Sequence, residues 1–317
     1  MKYGFGVPTR GPMANPRDIT AMAKKGEELG FDVVFVNDHI VVPRDVGSRY
    51  PYSESGDWPG GSSGEAMEQL VLLSYLASAT SRMRLLTSVM VVPHRNPVTT
   101  AKMLATIDVL SEGRVAVGCG TGWMREEFEA IGTDPFAERG AVTDEYLKVF
   151  KTLWTEENPE FSGKYASFSN ITFLPKPVRK PHPPLWIGGE SGRAYRRVAA
   201  LGDCWYPIGN NPRQSLDSVA KYGAGIEALN RALDAAGRDP AEIDLSYGAN
   251  WYGDGSRQES AEGGRMAFTG EADEIAADIA GFEAKGLRNI MLNFQGSTLN
   301  QTLDRMEHFI RDIAPKE

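Results

Sequence analysis

An α/β architecture closed as a (β/α)8 TIM barrel with insertions is the fold this sequence predicts, and three observations predict it. Short apolar runs recur along the chain, each ending in a polar, glycine-rich or proline-rich turn. Stretches with helical apolar spacing separate the runs, and about eight such pairs can be counted, the number that closes a barrel. The runs Leu85 to Met90 and Val115 to Cys119 are almost continuously apolar, as parallel strands buried on both faces require. With 317 residues, the chain reads as one domain, 1–317, because barrels of this kind run to roughly 250 residues or more.

Lys2 to Val7 reads as the first strand. Asn15 then caps a helix begun by Pro16, with Ile19, Met22, Ala23, Gly26 and Leu29 on one face and Gly30 as its stop. Asp32 to Val36 is the second strand and ends at Asn37-Asp38-His39. A helix over Ala66 to Thr80, the Leu85 strand, a helix capped by Asn96 and opened by Pro97, and the Val115 strand follow. The beat resumes with the strand Leu185 to Ile187, the helix Gly192 to Leu201, the strand Asp203 to Tyr206 and the helix Pro212 to Ala236. Leu245 to Trp251 is the seventh strand, Ile275, Ile279 and Phe282 mark a helix, and Asn289 to Asn293 is the last strand. Leu299, Leu303, Met306, Ile310 and Ile313 space out the closing helix. Three insertions interrupt this order, 42–65, 155–184 and 253–264, each either a lid or binding loop or a surface excursion. Tyr50, Tyr52 and Trp58 give the first of them rings to stack with.

Composition narrows the function. A formal charge of -8, with no basic run, argues against nucleic acid and anionic membrane as partners. Hydrophobic residues make up 41%, yet no apolar run approaches the ~18 residues that span a bilayer. The amino terminus enters strand-like sequence directly, so the cytoplasm is the expected location. Cys119 and Cys204 fall at strand ends and read as reduced, buried thiols. The four histidines, His39, His94, His182 and His308, match no metal-binding spacing, and no metal is expected.

In such a barrel the chemistry gathers at the carboxyl ends of the strands. There the chain places Pro8 to Arg10, Asn37 to His39, Ser88 to Arg95, Gly118 to Trp123, Gly188 to Arg193, Tyr206 to Asn211, Asn250 to Gly253 and Asn293 to Gly296, conspicuously polar or glycine-rich. Gly188-Gly189-Glu190-Ser191-Gly192 follows a strand and opens a helix, so backbone N–H groups, Ser191 and Arg193 or Arg196 suit a phosphate. A purely structural turn explains such a loop equally well. Glu126 and Glu127 fall in the first turn of a helix, where the dipole favours carboxylates without any catalytic role.

The joint pattern resembles a known family. Asp38-His39 after the second strand, Ser88-Val-Met-Val-Val-Pro-His-Arg-Asn-Pro97 after the third, Leu110 to Phe128 around the fourth and Pro183-Pro-Leu-Trp-Ile-Gly-Gly-Glu190 at the fifth resemble the bacterial luciferase-like superfamily of flavin and deazaflavin enzymes. The similarity covers nearly the whole chain and is greatest to the F420-dependent oxidoreductase branch. It implies hydride transfer between coenzyme F420 and a small, apolar organic substrate, with reduction of an activated C=C bond as the first expectation. An FMN-dependent two-component monooxygenase served by a separate reductase is the alternative, and a non-catalytic flavin-binding barrel a third. The resemblance also implies a homodimer. It places the cofactor ring against Asp38, His39, Ser88, Val89, Met90, Gly120, Thr121 and Gly122, and the phosphate against Gly188, Gly189, Glu190, Ser191 and Arg193. A non-proline cis peptide is implied at Ser88–Val89, bulging against the ring. His39 would be the catalytic residue, donating a hydrogen bond or shuttling a proton at the ring edge; a strand-end histidine bonded to a loop stays open beside it. Asp38 would orient His39 or pair with Arg95. Two departures bear on the cofactor and substrate. F420-using sugar and alcohol dehydrogenases tend to carry a glutamate after the first strand and a tryptophan soon after the Asp-His pair, where this chain has Thr9-Arg10-Gly11-Pro12 and Ile40-Val41-Val42-Pro43. The FMN enzymes often place a phosphate-binding arginine where this chain has Thr121, which tilts the expectation away from FMN.

Overall fold

The computed structural model describes residues 1–58, 64–260 and 262–315, so 59–63 of the first insertion and 261 of the third lie outside the described residues. Eight parallel strands close into a barrel in which chain order is also ring order. They are β1 (Lys2–Gly6), β2 (Val33–Val36), β3 (Arg84–Val91), β4 (Val115–Gly120), β5 (Leu185–Gly188), β6 (Cys204–Tyr206), β7 (Asp244–Ala249) and β8 (Asn289–Leu292), with β8 pairing back onto β1. Helices α1 (Pro16–Leu29), α2 (Gln69–Ala79), α3 (Pro97–Leu110), α4 (Arg125–Ile131), α5 (Arg139–Thr155), α6 (Gly192–Leu201), α7 (Val219–Ala236), α8 (Ala272–Glu283) and α9 (Leu299–His308) form the outer ring.

Local chemistry sets the boundaries. Asn15 accepts from the Asp18 N–H, Asn96 from those of Val98 and Thr99, and Gly30 closes α1 with φ of 95°. The expected helix from Pro212 instead starts at Val219. Ser218 caps it there by accepting from Lys221, and the Leu216 N–H is already committed to the Gly209 carbonyl. The second insertion contains a small antiparallel hairpin, Phe161–Ser162 against Ser167–Phe168. The third pairs Gly253–Asp254 with Thr269–Gly270. Cys119 and Cys204 are free and buried.

The core has two parts. Inside the barrel sit Val33, Phe35, Leu86, Ala116, Trp186, Cys204, Tyr206 and Met291; the larger layer between strands and helices includes Phe5, Leu85, Met90 and Val117. Alternation along β3 thus sends Leu86 inward and Leu85 outward. On the outer layer, a Cβ added at Gly26 of α1 would stand 2.2 Å from Phe5 Cε1. Alanine is ordinarily the better helix former by about 1 kcal/mol. Gly26→Ala is nevertheless expected to destabilise the protein by about 1–3 kcal/mol through overpacking. Urea denaturation checks this, and a variant as stable as the wild type would remove the argument.

Candidate active site

The strand ends frame a cavity of about 250 Å³ at the barrel mouth, lined from β2 by His39, from β3 by Ser88, Val89 and His94, from β4 by Gly120 to Trp123, and from β6 by Tyr206. The first insertion roofs it. Trp58 lies 4.5 Å from the His39 ring and 5.8 Å from Trp123, and Tyr50 packs on Trp123 at 5.2 Å. Arg10 stacks over Trp58 at 5.0 Å. These rings shield one side of the cavity from water.

The floor is shaped by a peptide bend against missing side chains. The Ser88–Val89 bond is cis, and the β3–β4 register shifts between Thr87 and Met90. A Cβ at Gly118 would stand 2.0 Å from the Thr87 carbonyl oxygen, and one at Gly120 would stand 2.6 Å from Val89 Cγ2. Glycine is therefore required at both, and Val89 projects into the space they leave. Ser88 Oγ and Tyr206 Oη share a hydrogen bond of 2.8 Å across the barrel, and burial raises the Tyr206 phenol, which stays protonated.

His39 is held by a carboxylate from α4. Glu127 Oε2 lies 2.9 Å from His39 Nδ1, and Glu127 Oε1 accepts the Ile40 N–H at 2.7 Å and the Val41 N–H at 3.3 Å. Glu127 is 1% exposed. A fully buried carboxylate persists ionised only with such donors, and as an acceptor it fixes the proton of His39 on Nδ1, leaving Nε2 as the second ring nitrogen. His94 stands behind, its Nδ1 3.9 Å from Glu127 Oε1, packed edge-on against Phe128. Burial above all lowers its pKa, outweighing the pull of Glu127 and Asp38, so it is neutral at pH 7, and among the described residues neither of its nitrogens has a hydrogen-bond partner.

Beside the mouth, sharing Thr121, Gly188 and Gly189 with it, opens a groove of about 840 Å³ between α5 and α6. Ser191 caps α6 by accepting from Ala194, which leaves its O–H free to donate. Arg139 donates to the Gly122 and Phe136 carbonyls and so fixes the β4 turn, and Arg197 pairs with Asp144. Lys148, Arg193 and Arg196 also line the groove and carry no hydrogen bond or ion pair among the described residues. The α6 N-terminus adds its dipole to this positive field.

Most of the expected residues converge on these two spaces: His39, Ser88, Val89, Gly120, Thr121, Gly122, Gly188 and Gly189 at the mouth, and Ser191 and Arg193 in the groove. Asp38 lines the mouth too, and of its two expected roles it takes the pairing with Arg95, at 2.7 and 2.8 Å, while also accepting the Val91 N–H. Two do other work. Met90, one residue beyond the inward-facing Val89, is buried in the outer core. Glu190 is 4% exposed and turns behind the glycine loop, where Asn211 donates to one oxygen at 3.3 Å and the other has no hydrogen-bond partner among the described residues. Burial pushes its carboxyl up to about 7, against the lowering effect of Asn211 and nearby backbone N–H groups. Arg10, His94 and Tyr206 lie in strand-end stretches expected to face the site, whereas Glu127 was read as a helix-dipole carboxylate without a catalytic role. The only signal for Glu127 was its proximity to the fourth strand end.

A closed parallel barrel whose polar mouth adjoins a basic groove is the architecture of a small-molecule site at the carboxyl ends of the strands. The chain belongs to the luciferase-like monooxygenase family, whose model matches residues 1–290, and it is an oxidoreductase of that family. An uncharacterized protein of Mycobacterium tuberculosis is 32% identical over 243 residues, 75% of this chain and 80% of that protein. The FMNH(2)-dependent dimethylsulfone monooxygenase of Pseudomonas putida is 29% identical over 243 residues, 74% of this chain and 64% of that enzyme. Among solved structures, monooxygenase RslO1 from Streptomyces bottropensis superposes with a TM-score of 0.74 at 22% identity, covering 99% of this chain and 98% of that one. An F420-dependent secondary alcohol dehydrogenase, solved with an F420-acetone adduct, gives 0.75 at 18% identity, with 98% of both chains covered. These two likenesses show the shared fold. Among the described residues no group of three or more His, Cys, Asp or Glu is placed to hold a metal, and no helix is long and apolar enough to cross a membrane.

Proposed function

We propose that this enzyme transfers hydride between coenzyme F420 and a small, apolar organic substrate, reduction of an activated C=C bond being the expected direction. The carrying observation is the groove: beyond the glycine loop it continues past Lys148, Arg193 and Arg196, cations with no carboxylate partner among the described residues. FMN ends at its phosphate, whereas the phosphate of F420 carries a further chain of carboxylates, which a longer basic groove suits. The residues fit such a group. The glycine floor beside Val89 leaves room for a flat ring, and the unpartnered nitrogens of His94 lie in the wall of the same cavity. Ser88, Val89, Gly120, Thr121 and Gly122 would hold the ring, and Gly188, Gly189, Ser191 and Arg193 the phosphate. The cofactor, when bound, supplies or accepts the hydride. The protein orients the substrate beneath Trp58 and Trp123, keeps water out with the same rings, and moves a proton at His39 Nε2, with Glu127 holding Nδ1.

The second reading is the FMN-dependent two-component monooxygenase, favoured by the relative from Pseudomonas putida. A homodimer in the cytoplasm, and for the second reading a separate flavin reductase, belong to this proposal. Anaerobic titration with F420 and with FMN, each oxidised and reduced, separates the two readings. F420 is expected to bind about tenfold tighter or more, a preference that replacing Arg193 and Arg196 by glutamine abolishes. Tighter binding of reduced FMN, untouched by those substitutions, would install the monooxygenase reading instead.

A further inference from the structure

The pole of the barrel opposite the mouth, where the strands begin, holds a second concentration of positive charge. A concavity of about 210 Å³ is lined by Lys2, Arg82, Arg84, Arg114 and Arg179 against one carboxylate, Asp32. Five cations beside one acid, in a chain of net charge -8, are not the average surface.

The arginines divide by what they bond. Arg114 is structural: its guanidinium donates to the carbonyls of Ser111, Met83, Ala77 and Thr80 and to the Thr80 hydroxyl, at 2.8 to 3.0 Å, so it locks the α2 end to the β4 start. Arg84 and Arg179 make no side-chain hydrogen bond or ion pair among the described residues. Arg84 begins β3, is half-buried, and lies over the Trp186 ring at 5.6 Å, closing the floor of the barrel interior. Arg179 is positioned from its backbone, whose N–H donates to Asp108 at 3.0 Å, while its side chain is left to solvent. Asp32 accepts the Tyr3 N–H at 3.0 Å, and among the described residues neither arginine forms an ion pair with a carboxylate. Burial first, and the positive charge of Arg179 second, depress the Arg84 guanidinium, although Asp244 and Asp32 pull the other way.

We propose that this pole is a binding site for a doubly charged tetrahedral oxyanion, phosphate or sulfate, either free or as the phosphoryl group of a metabolite. Guanidinium forks match several oxygens on one centre, and such an anion relieves the repulsion between Arg84 and Arg179. A water occupies about 30 Å³, so the concavity holds the anion together with several waters. The site is independent of which cofactor occupies the mouth.

Calorimetric titration with inorganic phosphate at low ionic strength tests the proposal, with chloride at matched ionic strength as the control. The titrated protein carries Ser191→Ala and Arg193→Gln, which silences the cradle at the mouth. One equivalent of phosphate is expected to bind saturably, and Arg179→Gln or Arg84→Gln, added separately, to weaken it about tenfold or more. Absence of saturable binding, or binding that survives both substitutions, overturns the site. Should Arg84→Gln fail to fold, Arg179→Gln decides alone, since its side chain packs against nothing that folding needs. Adenosine monophosphate titrated in parallel identifies the source: tighter binding than phosphate marks a phosphorylated metabolite, equal or weaker binding a free anion.

Discussion

Glu127→Gln is expected to lower kcat by about 10²- to 10⁴-fold in both directions of the reaction, with a small change in the KM for cofactor. The amide oxygen still accepts from the Ile40 and Val41 N–H groups, so the loop after β2 keeps its anchor. The amide nitrogen, however, is a donor aimed at His39 Nδ1, which must then become the acceptor and shift its proton to Nε2. The ring presents an N–H to the cavity where the wild type presents a lone pair. A proton acceptor is lost in the oxidising direction, and in the reducing direction the imidazolium that would hand the substrate its proton loses the carboxylate that stabilises it. His39→Ala is expected to fall in the same range without changing the mouth's hold on cofactor. Steady-state kinetics in both directions, with cofactor binding measured separately, check both. Unchanged kcat in Glu127→Gln would reduce the pair to a structural tie.

The second large effect concerns stability. Glu190 titrates at about 7 in the folded chain, above its ordinary 4.5, because burial penalises the ionised form. The folded state therefore binds the proton more tightly than the unfolded state. The stability this gives is fully present below pH 4.5, declines as pH rises towards 7, and is lost above it. The shift corresponds to about 3 kcal/mol. Glu190→Gln places a neutral amide of the same shape beside Asn211 and is expected to raise stability at pH 8 by an amount on the order of 2–3 kcal/mol. It should also flatten the slope between pH 5 and 7. Denaturation midpoints at pH 5 and pH 8 measure this, and an identical slope in the variant would mean that another group carries it.

The fold was legible because its signals are local. Asn15 with Pro16, Asn96 with Pro97 and Gly30 each announce a helix boundary within four residues, and buried parallel strands show as unbroken apolar runs. The α7 start was not legible, because Pro212 is a good helix opener and the chain is held away from helix until Ser218 by ties from distant elements, Tyr247 Oη donating to the Leu216 carbonyl and the Ala267 N–H to that of Asp217. Within the site, the strand-end and glycine-loop residues were found by their place at the barrel mouth. Glu127 was not, since its first-turn position had a sufficient explanation in the helix dipole, while its partner His39 is 88 positions away. Asp38 was legible only as an alternative, orienter of His39 or partner of Arg95, and the Arg95 guanidinium bonded to both of its oxygens decides for the second.

Gly118 and Gly120, where β4 yields to the bend in β3, leave the space that the Val89 side chain fills in the mouth's floor. A side chain added at either glycine would collide with the Thr87 carbonyl or with Val89, so substitution there blocks the seat without retuning it. Variation in what the enzyme accepts is thereby channelled to the roof, to Tyr50, Tyr52 and Trp58 on one inserted loop and to Trp123 facing them. The scaffold separates where a molecule is held from which molecule is admitted, and an exchanged 42–65 loop is the natural unit by which its selectivity diversifies.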